Sequence, residues 1–147
     1  MHFEGIVAIQ APREKVWNFL TNPDFVSQCA PGIKSVDVII PDKKFRAVAA
    51  VGFGSISTTF DNEIEFVELI DLEFAKVKVH GKAPGSAVDA LGEMKLSDGE
   101  DGATNLTWSA EITIVGTIAS LASRMLGGVT NKLTGIFFSC VKKKIEE

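Results

Sequence analysis

The period of the apolar residues changes once along this chain, and that change restricts the fold more than any other feature. From Ile33 to Val115 apolar and polar residues follow a strand-like period of two. Turn residues interrupt it at Pro41-Asp42, Gly52-Phe53-Gly54, Asp71, Ala83-Pro84-Gly85 and Ser97 to Gly102. After Gly116 the period becomes helical and holds to about Lys144, a rod of roughly 40 Å at 1.5 Å per residue. The first stretch predicts six strands joined as a meander. The second predicts one long helix, which only a large, curved sheet could cover.

Face assignments follow from the same periods. Alternation from Phe74 to His80 gives Val77 and Val79 one face and Lys76, Lys78 and His80 the other, while Leu106, Trp108, Ala110, Ile112 and Ile114 share a face. The sheet therefore has a dry side and a wet side, as antiparallel sheets commonly do. On the long helix, at about 100° per residue, Ile118, Leu121, Ala122, Met125, Val129, Leu133, Ile136 and Cys140 fall on one stripe. That stripe is expected to face the sheet.

Ahead of the meander, residues 3–10 read as a first strand, and Ala11-Pro12 opens a short helix with Val16, Trp17 and Leu20 on one face. Asn22-Pro23 starts a second short helix through Phe25, Val26 and Cys29, with asparagine as cap and proline leading, and Ala30-Pro31-Gly32 ends it. The expected fold is thus α+β: a seven-stranded curved antiparallel sheet around a long C-terminal helix, with two short helices after strand 1 and an apolar pocket between sheet and helix. At 147 residues the chain is expected to form one domain over residues 1–147, a length able to bury roughly 68–70% of its unfolded surface.

Several function classes are excluded by composition. Lys and Arg number 15 against 19 Asp and Glu, and no basic cluster exists that could neutralise a run of phosphates; nucleic acid is not an expected partner. Cys29 and Cys140 lack the paired spacing of a zinc knuckle or a redox motif, and are read as reduced, buried thiols. The N-terminus lacks the basic start and apolar stretch of a signal peptide, and no uninterrupted apolar run reaches 18 residues. A cytoplasmic protein that does not span the membrane is expected.

Some positions break local rules. Gly127, Gly128 and Gly135 fall inside the long helix, where each costs roughly 1 kcal/mol against alanine; they either make space for a ligand, or reflect close packing or a helix break. Along the strand Ala87 to Leu96, one face carries Val88, Ala90, Gly92, Met94 and Leu96, small in its middle. The volume so left collapses, is filled by large neighbours such as Phe60, Phe66 and Trp108, or stays open for a guest. Asn62 shares parity with Phe60, Ile64 and Phe66, which places an amide on the dry face; it holds a ligand's polar end, or bonds backbone near a bulge, or the parity is lost at a bend. Phe138 falls on the back of the helix, available to a partner or covered by an N-terminal loop. Lys142-Lys143-Lys144 complements the helix dipole and offers at most a weak touch on anionic lipid.

Catalysis is poorly supplied. The histidines are His2 and His80, there is no tyrosine, and no nucleophile elbow, paired-histidine helix or phosphate loop occurs. Neither a catalytic set nor a metal site nor a cofactor is expected. From strand parity and helix periodicity the candidate lining of a pocket is Phe60, Asn62, Ile64 and Phe66 on one strand, Val77 and Val79 on the next, and Ala90, Gly92 and Met94 beyond it. Trp108 and Ala110 on the last strand and Leu121, Met125 and Val129 on the helix complete it.

Ala11-Pro12-x-x-x-Val16-Trp17, Asn22-Pro23, Cys29-Ala30-Pro31-Gly32-Ile33 and the helix with Phe137-Phe138 together resemble the carbon monoxide dehydrogenase G-subunit family. That family lies within the superfamily of START and birch-pollen-allergen-like helix-grip domains, and the resemblance runs nearly the whole chain. It implies a helix-grip fold with a cavity for a hydrophobic, lipid- or quinone-like molecule. It also implies an accessory, non-catalytic role beside a molybdenum-containing carbon monoxide dehydrogenase or related hydroxylase. Family members tied to that enzyme often carry a membrane-seeking C-terminal extension; with the sequence ending at Glu147, only the pocket domain is expected to carry over. Two other functions are open: a polyketide cyclase or aromatase using Asn62 with Ser57, Thr59 or Arg46, and an assembly factor docking through a surface that includes Phe138.

Overall fold

Alternating residues build seven strands in the computed structural model, which describes residues 1–53 and 56–146. In chain order the elements are β1 (His2–Ile9), α1 (Arg13–Leu20), α2 (Pro23–Cys29), β2 (Ile33–Ile40), β3 (Lys44–Phe53), β4 (Ile56–Ile70), β5 (Phe74–Ala83), β6 (Ser86–Asp98), β7 (Thr104–Gly116) and α3 (Ala119–Glu146). A single 3-10 turn, Glu100–Gly102, joins β6 to β7. β2 to β7 form the expected meander, and β1 pairs antiparallel with β7, giving the order β1-β7-β6-β5-β4-β3-β2. The α1–α2 segment thus carries the chain from one sheet edge to the other.

The punctuation read from sequence sets the entry to that sheet. Asn22 caps α2, its Oδ1 accepting from the Asp24 N–H at 3.0 Å, with Pro23 at the first helical position. Pro12 stands one place earlier than expected, as the cap residue of α1 rather than its first helical residue. Gly32 ends the α2 excursion with φ +79°, and a Cβ there would lie 2.2 Å from the Ala50 carbonyl oxygen. Only glycine allows both that backbone and that approach; the Gly32 carbonyl accepts from Ala50 N–H at 2.8 Å, which starts the β2–β3 pairing.

Two separate cores hold α3 against the sheet. At one end Ile118, Ala122 and Leu126 pack on Phe60, with Val88, Ile112 and Ile114 around them. At the other, Val141 and Ile145 join Ile9, Val16, Trp17 and Leu106 in a core that α1 and α2 help to close. The middle of α3 bridges the interval. The buried line on the helix runs 118, 122, 126 and on to 141 and 145 rather than along the straight stripe expected; Ile136 is 45% exposed. Four residues overshoot a full turn by about 40°, so a contact line kept at that spacing winds around the helix.

Three further expectations are corrected. Cys29 and Cys140 are joined as a disulfide, Cα to Cα 5.4 Å, linking the end of α2 to α3. They are 111 residues apart in sequence, and only the α2–α3 packing brings them together. α3 is unbroken through Gly127, Gly128 and Gly135, which are exposed, and a Cβ at each would meet nothing within 4 Å. They neither face the sheet nor permit a tight approach. Phe138, expected on the back of the helix, is half-buried: its ring lies 6.4 Å from Trp108 and 5.1 Å from Phe137, edge-on to the latter.

The wet face of the sheet carries a ladder of opposite charges. Arg46 Nε donates to Asp61 Oδ1 at 2.6 Å, Lys44 pairs with Glu63, and His80 Nδ1 lies 2.6 Å from Asp89 Oδ1. The Arg46 and Lys44 hydrogen bonds hold the Asp61 and Glu63 carboxyls below the usual carboxylate range. Being exposed, these pairs bear on solubility and strand register more than on stability.

Candidate functional site

Between the two cores the dry face of the sheet is not filled. One space, about 410 Å³, lies under residues 126–137 of α3. Its floor is Phe60, Asn62, Val88, Ile112 and Ile114; its roof is Leu126, Val129, Thr130, Leu133, Thr134 and Phe137, and Val51, Ala30 and Pro31 close one side. A second space of about 320 Å³ shares Thr134 and Phe137 with the first and continues over Val77, Gly92, Met94, Trp108 and Ala110. A third, about 200 Å³, lies beneath α2 over Phe45, Ile64, Phe66 and Val77. Phe137 stands in the wall between the first two, steadied edge-on by Phe138.

Strand register explains this arrangement. Asn62, Gly81, Val88 and Ile114 form one row across the dry face, and Phe66, Val77, Gly92 and Ala110 form another. In the second row Gly92 and Ala110 contribute almost no side chain, and a Cβ on Gly92 would come no nearer than 3.8 Å to any neighbour. The room above that row is therefore written into residue size.

The structure brings most of the candidate lining to these spaces. Phe60, Asn62 and Val129 bound the first, Val77, Gly92, Met94, Trp108 and Ala110 the second, and Ile64, Phe66 and Val77 the third. Val79 and Ala90 face each other across β5 and β6 in the row between and bound none of the three. Met125 is half-buried off the walls, its place taken by Leu126, one residue further round the helix. The Leu121 side chain lies outside the described residues. Sequence reasoning passed over Thr130 and Thr134 because they are polar, and Phe137 because a straight stripe leaves it at the margin; Val88, Ile112 and Ile114 carried the right parity.

Among the described residues the wall of the first cavity contains no ionisable side chain, and its polar side chains are Asn62, Thr130 and Thr134. Asn62 bonds backbone from within the wall: Nδ2 donates to the backbone carbonyls of Ala47 at 3.2 Å and Phe60 at 3.3 Å while the residue lines the cavity. The bulge in β4 lies at Phe66–Glu68, away from it. Thr134 Oγ1 donates to the Thr130 carbonyl. Glu93 borders the second space but turns to Lys76 on the wet face, 3.8 Å away. Arg46, Ser57 and Thr59 bound none of these three spaces; Arg46 is held by Asp61, and Ser57 and Thr59 are exposed. Among the described residues no cluster of His, Cys, Asp and Glu could hold a metal ion, and no helix is long and apolar enough to cross a membrane.

A curved sheet gripping one helix over an apolar space is a shared architecture, and the family is decided by sequence. The family model for the G subunit of carbon monoxide dehydrogenase (CoxG) matches residues 5–146. The chain belongs to that family. Among solved structures, this CoxG family member is similar to a conserved protein from Geobacillus kaustophilus, at 29% identity and TM-score 0.91, covering 99% of this chain and 95% of that one. It shares its fold with the Zhui aromatase/cyclase of a Streptomyces species (16% identity, TM-score 0.76, 99% and 93% covered). A truncated norcoclaurine synthase from Thalictrum flavum has the same fold (9% identity, TM-score 0.68, 100% and 94% covered). The fold is thus helix-grip, compatible with binding of a hydrophobic ligand. Among curated proteins, none matches the chain in sequence.

Proposed function

We propose that this CoxG family member holds a neutral, apolar small molecule, lipid- or quinone-like, between α3 and the sheet, without chemistry on it. The observation that carries the reading is the cavity of about 410 Å³ with no ionisable group among the described residues of its wall. A space of this size and lining suits an apolar guest, whereas general acid-base or nucleophilic work needs a titratable or activated group within reach of the guest. The family name supports a role as accessory to a carbon monoxide dehydrogenase-type molybdenum enzyme, to which a carried guest would be delivered or from which it would be taken. Lys143 and Lys144, exposed at the end of α3, would add weak attraction to anionic lipid during such an exchange.

Nile red, a neutral dye that brightens and shifts to the blue in apolar surroundings, tests the cavity directly. The folded protein is expected to bind it saturably. Val88→Trp, which puts an indole into the space from the floor, is expected to abolish the signal with the circular dichroism spectrum unchanged. A dye signal equally strong in a folded Val88→Trp would place the dye elsewhere and remove the support for the cavity.

A further inference from the structure

Inside that cavity the Asn62 Oδ1 has no partner among the described residues, and its placement is enforced from two sides. Both Nδ2 hydrogens of Asn62 are taken by the Ala47 and Phe60 carbonyls, which fixes the amide orientation, since the flipped amide would set oxygen against two oxygens. The Asn62 Oδ1 accepts no hydrogen bond among the described residues, yet no buried side-chain polar atom is without a partner, so Oδ1 is open to the cavity that Asn62 lines. From below, Oδ1 rests on Gly81, its cross-strand partner; a Cβ on Gly81 would lie 2.2 Å from it. Glycine inside a strand weakens the strand and often marks a close approach. Here it vacates the seat of one carbonyl oxygen.

From this we infer that the cavity selects a guest with a hydroxyl group, a phenol or alcohol on an apolar body, whose O–H donates to Asn62 Oδ1. The inference rests on the proposed function and names the chemistry of its guest. An empty cavity lets water serve Oδ1; a guest that displaces the water must supply a donor or leave a buried acceptor unpaired. Ethers, ketones and esters offer only acceptors and set oxygen against oxygen. A carboxylate finds no cation among the described residues of the wall to offset its desolvation. The Thr130 hydroxyl, on the roof and with no bond of its own among the described residues, can give to or take from a second polar atom of the guest. For a quinone-like guest the hydroxyl-bearing reduced form is preferred over the oxidised one.

Displacement of Nile red by para-hexylphenol and by its methyl ether, matched in carbon skeleton, provides the test. The wild-type protein is expected to bind the phenol roughly tenfold more tightly. Asn62→Leu is expected to bring the two affinities together by weakening the phenol and sparing the ether. Gly81→Ala, which pushes the carbonyl off its seat, is expected to do the same. Equal affinities in the wild type, or no displacement by either probe, overturn the hydroxyl preference, and neither result touches the cavity itself. A preference that persists in folded Asn62→Leu overturns the assignment to Asn62. Failure of the dye to bind overturns the cavity reading and the inference with it.

Discussion

Asn62 and Gly81 are each unfavourable alone: an amide on a dry face loses its hydration, and a glycine in a strand gives up packing and order. Side by side across β4 and β5 they form one device, in which the glycine makes room for the amide and the backbone anchors it. The three α3 glycines have no such counterpart. Exposed, helical and free of neighbours within 4 Å of a Cβ, Gly127, Gly128 and Gly135 incur the entropy of glycine with no contact in return. Each change to alanine is expected to stabilise the protein by about 0.5–1 kcal/mol, seen as a rise in Tm of roughly 2–4 °C per kcal/mol in a chain of this size. A fall in Tm would mean that the helix uses its looseness there.

At the level of elements, the bond between Cys29 and Cys140 couples α2 to α3 next to the cavity wall formed by Ala30 and Phe137. The double change Cys29→Ala, Cys140→Ala is expected to lower the unfolding free energy by about 2–5 kcal/mol, read from urea midpoints of the oxidised wild type and the variant. Equal midpoints would show that side-chain packing alone holds the two helices. The six meander strands, the two short helices and α3 were legible in the sequence because their causes are local: alternation, turn residues, Asn22-Pro23 and the helical period. What pairs distant segments was not. The disulfide, the β1–β7 pairing and the covering of Phe138 by Trp108 depend on which elements meet, which spacing does not encode. The winding contact line on α3 likewise comes from the curvature of its partner, so a straight wheel selected Met125 and Ile136 over Leu126 and Phe137. For the cavity, the small residue at Gly92 and the parity of Ala110 and Asn62 were readable, while Ala90, read with Gly92 as a source of room, borders none of the three spaces, and Thr130 and Thr134 gave no signal until the helix was laid on the sheet.

For the whole molecule, two solid cores with a helix spanning the interval place the unfilled volume where α3 is supported at both ends, so the space need not collapse when empty. The covalent link extends that support to the chain as a whole. Because Cys29 precedes β2 and Cys140 follows β7, the backbone is a closed ring with two tails, and the ring contains every strand except β1. One protease cut in any turn between β2 and β7 should therefore leave a single molecule of unchanged mass on a gel without reductant, resolving into two fragments only when thiol is added. Separation without thiol would mean that the ring is open.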